Sequence, residues 1–315
     1  MSVASARPAA QRILVIKLGA LGDFVQAMGA AAAIRAHHGD AAITLLTSAA
    51  YADLARRAPY FDEVWVDERP RLWTPSALLS LRRRLRGAAF ARVYDLQTSD
   101  RSSAYFHLFG PGARPEWSGI ARGASHPHDT PHRDLMHTLD RQADQLGRAG
   151  IGDVKLPDLA WATTDIARFA LPERFVVLVP GGAPHRPAKR WPAASYGELA
   201  AHLVSRGVTP VVVGGRAEAA LGAAIAASCA GARDLTGQTA FGDIVALGQK
   251  AAHAVGNDTG PMHLLAGAGC KATVLYSAAS DPALTAPRGA GVTVLRRADL
   301  ADLAVAEVAA TLAIG

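Results

Sequence analysis

Short runs of branched apolar residues alternate along this chain with longer stretches in which apolar positions recur every three or four residues. Residues 13–16, 43–46, 64–66 and 93–96 have the length and branching of buried strands, and residues 27–36 and 75–85 lie between them with helical spacing. That alternation predicts a parallel sheet with helices on both faces. After Leu96 the pattern loosens. Residues 109 to about 131 are rich in Gly, Pro and His and read as a binding loop rather than a linker, followed by a helix over 135–146. Residues 157–172 break the rhythm, which places a boundary near residue 165. A second round then begins: strands at 175–179, 211–213, 252–255 and 272–276, with helices at 194–205 and up to 227. The expected organisation is a first Rossmann-like domain over 1–165 and a second over 166–300. Residues 301–313 read as one amphipathic helix, so that 301–315 can cross back to the first domain. Two doubly wound domains in tandem leave a cleft between their strand ends, the default place for a ligand.

Composition narrows the class. With 315 residues, half of them apolar and no uncharged run of 18, the chain has room for two domains that each bury a core, and it reads as a soluble globular protein. The residues ahead of Ile13 hold no apolar stretch of a secretory leader, so a cytoplasmic location is expected. Cys229 and Cys270 stand far apart outside any C-x-x-C pattern, which argues against a disulfide framework or a zinc site. The formal charge of +6 suits an anionic partner, but aromatics are only 6% of residues and no base-stacking motif is present, so nucleic acid is not expected as one. Positive charge gathers at Arg82, Arg83, Arg84 and Arg86, on a helix whose Leu78, Leu81 and Leu85 face inward. The arginines read first as a solvated face, ahead of a specific anion site, with attraction to an anionic membrane surface as a weaker second use.

Candidate chemistry sits in the turns. The first strand leads into Gly19-Ala20-Leu21-Gly22-Asp23, where Gly19 and Gly22 supply the freedom for a tight strand-to-helix turn. Asp23 has two readings: an ordinary helix N-cap, or a carboxylate held at the carboxyl end of a strand, where open α/β sheets place ligands. Neither the G-x-G of a dinucleotide fold nor the G-K-[ST] of a P-loop is present. In the second half three glycine turns follow strands: Pro180-Gly181-Gly182, Gly214-Gly215 and Gly256-Asn257-Asp258-Thr259-Gly260-Pro261. In the last, Asp258 can cap a helix starting near Gly260, and the N–H groups of Thr259 and Gly260 make a pocket that fits a diphosphate. The alternative is a well-capped helix without a ligand. Lys189, one of five lysines against 28 arginines, offers a point charge beside the first of these turns, while Trp191 and Pro192 read as packing for the next helix. Glu218 can accept from ribose hydroxyls or be an exposed helix residue; His263, one turn into the helix after Asp258, can reach a phosphate or sugar or be structural. His126, His128, His132 and His137 with Asp129 invite a metal reading, which the absence of H-E-x-x-H or a cysteine partner disfavours. No nucleophile elbow or cysteine–histidine signature is found, so hydrolysis by a triad is not expected.

Taken in order, these motifs resemble glycosyltransferase family 9, the bacterial lipopolysaccharide heptosyltransferases, over nearly the whole chain. The resemblance rests on Lys17-Leu18-Gly19-Ala20-Leu21-Gly22-Asp23, Asp95-Leu96-Gln97 with Arg101-Ser102, Pro180-Gly181, Lys189-Arg190-Trp191-Pro192, Asn257 to His263, and Ser280-Asp281-Pro282. It implies a GT-B architecture, two Rossmann-like doubly wound domains facing across a cleft, the first for an acceptor and the second for a nucleotide-diphosphate sugar. It also implies inverting transfer with neither metal nor cofactor. Asp23 matches the family's general base. Gly181, Lys189, Glu218, Asp258, Thr259, Gly260, Met262 and His263 fall on donor-binding positions, and Lys17, Gln97 and Arg101 on acceptor-binding ones. The implied partners are ADP-heptose or a related donor and a lipid-linked glycan, the lipopolysaccharide core, with peripheral contact on the cytoplasmic face of the inner membrane. The chain departs from the family's common pattern at Gly19, Gly29, Ser277-Ala278 and Ala183-Pro184-His185-Arg186. Two other readings predict different products: a sugar-nucleotide binder that turns nothing over, and a sugar-nucleotide epimerase that needs no acceptor.

Overall fold

The computed structural model describes residues 11–69, 75–183 and 185–314; Pro184, in the unusual lead to the lysine motif, lies outside them. In chain order the elements are β1 (Arg12–Ile16), α1 (Leu21–His37), β2 (Ala42–Thr47), α2 (Ala49–Arg57), β3 (Glu63–Val66), α3 (Pro75–Gly87), β4 (Arg92–Asp95), α4 (Asp100–Leu108), β5 (Glu116–Gly119), β6 (His126–Pro127) and α5 (Thr138–Arg148). There follow β7 (Phe175–Val179), α6 (Ala193–Ser205), β8 (Thr209–Val212), α7 (Ala219–Ser228), β9 (Arg233–Asp234), α8 (Phe241–Lys250), β10 (His253–Asn257), α9 (Gly260–Gly267), β11 (Ala272–Tyr276), α10 (Pro282–Thr285), β12 (Val292–Arg296) and α11 (Val305–Ala309). Two compact units result. Unit 1 comprises Met1–Gly19, Gly29–Arg133 and Leu139–Lys155; unit 2 comprises Ala20–Met28, Asp134–Thr138 and Leu156–Gly315.

Unit 1 carries a six-stranded sheet in the order β3-β2-β1-β4-β5-β6, parallel throughout. Sheets of that kind bury both faces, which is why β1 reads from Ile13 to Ile16 as an unbroken apolar run. Leu14, Ile16, Leu46, Val93, Phe106 and Trp117 form its core. Residues 109–131, expected as a loop, contribute β5 and β6 to this sheet. These strands are four and two residues long, too short to show a period in sequence. On α3, Leu85 is fully buried, the four arginines are exposed, and the Arg84 guanidinium stacks 4.0 Å from the Trp65 ring centre.

Unit 2 repeats the plan with a six-stranded sheet, β12-β11-β10-β7-β8-β9, again parallel. Its core gathers Val176, Leu178, Trp191, Tyr196, Leu199, Val255 and Leu275. Residues 301–314, expected as one amphipathic helix, form shorter elements instead. A 3-10 turn, Leu300–Asp302, precedes the five-residue α11, and Leu300, Val308 and Ile314 join the core of unit 2 around α6. Burial of those apolar side chains outweighs the continuation of a short, weakly nucleated helix.

Candidate active site

In each unit the strand order reverses between two neighbours, β1 and β4 in unit 1, β7 and β10 in unit 2. Ligands of open α/β sheets bind beyond the carboxyl ends at such a point. In unit 2, Asn257, the last residue of β10, ties the reversal together. Its amide donates to Pro180 O at 2.8 Å and Gly181 O at 3.1 Å, and its oxygen accepts from Trp191 N–H at 3.0 Å and the Tyr196 hydroxyl at 3.1 Å. The Trp191 indole N–H is taken by Leu303 O at 2.9 Å, so this residue packs and does not face a ligand.

Beyond these strand ends lies a cavity of ≈ 550 Å³ lined by Ala20, Gly22, Asp23, Gln26, Arg186, Lys189, Asp258, Thr259, Gly260, His263 and residues of the 279–285 segment, all belonging to unit 2. Two helix starts, those of α1 and α9, border it. They meet through glycines: a Cβ on Gly22 would stand 2.8 Å from Cδ2 of His263, and one on Gly260 2.7 Å from Cβ of Leu21. Gly22 is therefore required by close approach. Positive φ belongs to Gly19, at 130°. First-turn N–H groups of both helices and their dipoles favour an anion in the cavity.

Asp23 is the third residue of α1 rather than its cap, and its carboxylate reaches back to the Ala20 N–H at 3.3 Å. Among the described residues that is the carboxylate's one hydrogen bond, and no cation pairs with it. Asp258 does not cap α9 either: Thr259 holds the N-cap position, without a side-chain bond. The carboxylate instead pairs with the Lys189 ammonium at 2.5 Å, both side chains about nine-tenths buried. Burial pushes the Asp258 pKa up, but Lys189 and the Ser280 and Tyr276 hydroxyls together outweigh it and carry it below the usual carboxylate value. An ammonium has three donors, and Asp258 uses one. His263 is 6% exposed. Burial lowers its pKa to about 4 against the pull of Asp258 and Asp23, and His137 lowers it further, so the imidazole is neutral at pH 7. Its Nδ1 has no hydrogen-bond partner among the described residues.

Other expected site residues stand elsewhere. Met262 is fully buried with its sulfur under Gly256, where a Cβ would come within 2.5 Å. Glu218 accepts from the Gly215 N–H at 2.7 Å and packs on Gly181, whose Cβ would meet its Cγ at 2.9 Å. In unit 1, the Lys17 ammonium is buried and donates to Leu96 O at 3.2 Å, and the Gln97 side chain accepts from the Leu18 N–H at 2.9 Å. Arg101 is exposed on α4, its pKa raised by the hydrogen bond to Tyr105. The histidines are dispersed: His128 bonds Asp144, His126 faces Glu116, His137 bonds Ala286 O and His132 is exposed. Sequence reasoning missed Gln26, Arg186 and Thr285 as cavity residues; Gln26 follows Asp23 by one turn, which is the signal that was available.

The fold as a whole is shared with glycosyltransferases. It matches the family 9 glycosyltransferase from Veillonella parvula DSM 2008 with a TM-score of 0.83 at 20% identity, over 96% of this chain and 95% of that one. It matches the E. coli ADP-heptose lps heptosyltransferase II at 0.76 and 23% identity, over 96% and 97%. E. coli heptosyltransferase WaaC, solved with ADP, matches at 0.75 and 19%, over 95% and 98%. These likenesses place the chain in the GT-B class of α/β folds.

The model of glycosyltransferase family 9 (heptosyltransferase) matches residues 78–307, and the chain belongs to that family. Lipopolysaccharide heptosyltransferase 2 of Escherichia coli (strain K12) is 34% identical over 120 residues, which are 36% of this chain and 34% of that protein. The aligned stretch thus spans about a third of that relative's length. Membership makes this a protein of the glycosyltransferase class.

Proposed function

We propose that the cavity of unit 2 binds a nucleotide-diphosphate sugar, ADP-heptose or a close relative, and that the protein transfers the sugar with inversion, without a metal, to the core of a lipopolysaccharide. The observation that carries this reading is the Asp23 carboxylate, unpaired by any cation among the described residues, in one cavity with the Lys189–Asp258 pair and two helix starts. An acceptor hydroxyl placed between Asp23 and the anomeric carbon loses its proton to the carboxylate as its oxygen attacks. The bond from that carbon to the diphosphate breaks, and its electron pair leaves on the nucleoside diphosphate. Lys189 and the N–H groups of Thr259 and Gly260 meet the charge that develops there. Lys17, Gln97 and Arg101 are proposed to serve the acceptor, whose acidic sugars suit the arginine.

Asp23→Ala is expected to lower turnover roughly 10²- to 10⁴-fold while ADP binding by calorimetry stays near wild type. Lys189→Ala, in contrast, should weaken ADP binding roughly 10- to 100-fold. Near-normal turnover of the Asp23 variant would remove it as the base. Incubation of the donor alone separates the alternatives: a new sugar nucleotide formed without acceptor marks an epimerase, and binding without any turnover marks a non-catalytic binder.

Peripheral attachment to the cytoplasmic face of the inner membrane is proposed through α3. Leu79, Arg82, Arg83 and Arg86 are exposed and share one helical stripe. No helix among the described residues is long and apolar enough to cross a membrane. Binding to vesicles with 30% anionic phospholipid should exceed binding to neutral vesicles roughly tenfold or more and fall when the three arginines become glutamates; equal binding to both would rule the surface out.

A further inference from the structure

Gln26 lines the cavity, yet the proposed reaction leaves it without a task. It stands three residues after Asp23 on α1, so the two share a face, and it is 2% exposed. Its amide nitrogen donates to Thr285 O at 3.1 Å and reaches Ala286 O at 3.4 Å. Those carbonyls close α10, a four-residue helix whose start is capped by the Asp281 carboxylate on the Ala283 N–H at 3.1 Å. Leu284 and Thr285 face the cavity. Two more side chains take carbonyls of the same turn: Thr138 donates to Leu284 O at 3.2 Å, and the His137 ring nitrogen meets Ala286 O at 2.9 Å. All three side chains are buried, at 2–5% exposure, and each comes from a segment distant in sequence.

A helix end must find partners for its last carbonyls, and on a surface water serves that need. Burying Gln26, His137 and Thr138 for the purpose does something else: it fixes where the wall stands. His137 and Thr138 hold the wall from the 134–138 segment. Of these three, Gln26 is the one that stands on the helix turn carrying Asp23.

We propose that Gln26 is a positioning residue, its amide fixing the Asp23 carboxylate relative to the 281–286 wall and so setting the approach of the acceptor oxygen to the anomeric carbon of the bound donor. The inference rests on the reading of this cavity as the donor site and of Asp23 as the base. Displacement rates fall by about 10²-fold for a misplacement near 1 Å, whereas ground-state contacts to the nucleotide are made by other residues. Loss of the Gln26 amide, which bonds the wall and shares a helix turn with Asp23, therefore acts on kcat, whereas loss of the Thr138 hydroxyl, which bonds the same wall but stands outside α1, spares kcat.

The experiment compares Gln26→Met, which keeps length and removes the donor, with Gln26→His, which restores a ring N–H of similar reach, and with Thr138→Val. Turnover is measured with ADP-heptose and a truncated core acceptor, and binding by calorimetry with ADP. Gln26→Met is expected to lose roughly 10- to 100-fold in kcat with ADP affinity within about twofold of wild type, and Gln26→His to recover most of that loss. Thr138→Val should spare kcat. Wild-type turnover in Gln26→Met, equal losses of kcat and ADP affinity, or no recovery in Gln26→His would each overturn the positioning role. A wild-type protein that neither binds ADP nor transfers sugar would instead sink the donor-site reading, and this inference with it.

Discussion

The two sheets run in the same strand order, yet their reversal points are held by different chemistry. In unit 2 a neutral amide does the work: Asn257 fills both donors and its acceptor oxygen with four bonds to Pro180, Gly181, Trp191 and Tyr196. In unit 1 the reversal is spanned by an ammonium and a longer amide, Lys17 to Leu96 O and the Leu18 N–H to Gln97. Beside them the fully buried Asp95 accepts from the Gln97 and Thr98 N–H groups on one oxygen, while its other oxygen has no hydrogen bond among the described residues. A saturated neutral group adds rigidity without field, so in unit 2 the charges stand further out, on Lys189 and Asp258 at the cavity. Unit 1 keeps charge in the reversal itself, where burial makes it costly and sensitive to pH.

The largest expected consequence lies in unit 2. Asn257→Ala strips partners from the buried Trp191 N–H and from the Pro180 and Gly181 carbonyls, and should lower the unfolding free energy by about 3–5 kcal/mol. Gln97→Ala removes one bond in a half-buried place and should cost only about 1 kcal/mol. Urea unfolding of the two variants tests the contrast. Equal costs would mean that the reversal points are equally held, and the comparison would fail.

How much of this was legible in the sequence depends on range. The strands at Phe175–Val179 and Ala272–Tyr276 coincide with their apolar runs, because a strand buried on both faces is apolar at nearly every position, Thr273 being the exception. The helix α4 was missed although Ser99 and Ser102 form a reciprocal cap at its start, and β5 and β6 were hidden by their brevity. At the site, Asp23, Lys189, Asp258, Thr259, Gly260 and His263 stood out because glycine turns announce strand ends, and the cavity gathers all six. The role of Asp258 there is not legible in its local sequence. A local rule favours an N-cap, but the ion pair that claims its carboxylate comes from Lys189, 69 residues away, and nothing in the neighbouring sequence signals it. Gln26 and the carbonyls of α10 are likewise joined over 259 residues, beyond any periodicity.

A smaller and more diagnostic effect belongs to Asp95. Burial raises its pKa from 3.8 to about 6, against the lowering pull of the Thr98 N–H, the nearby Ser102 hydroxyl, the Gln97 N–H and Lys17. Between those values the folded protein holds a proton that the unfolded chain has released. Stability from this group is thus present at acid pH and declines as pH rises through about 6, opposite to a salt-bridged carboxylate. Across pH 4.5 to 8 the decline amounts to about 2 kcal/mol. Asp95→Asn has no proton to lose. Its unfolding free energy relative to wild type should therefore rise by that amount over the same interval, with the slope greatest below pH 6. No counterpart is expected for Asn257, which does not titrate. Urea titrations of wild type and Asp95→Asn at pH 4.5, 6 and 8 decide the matter. If the difference between the two proteins stays constant with pH, the charge in the unit 1 reversal is neutralised by its surroundings, and the two reversal points differ in geometry alone.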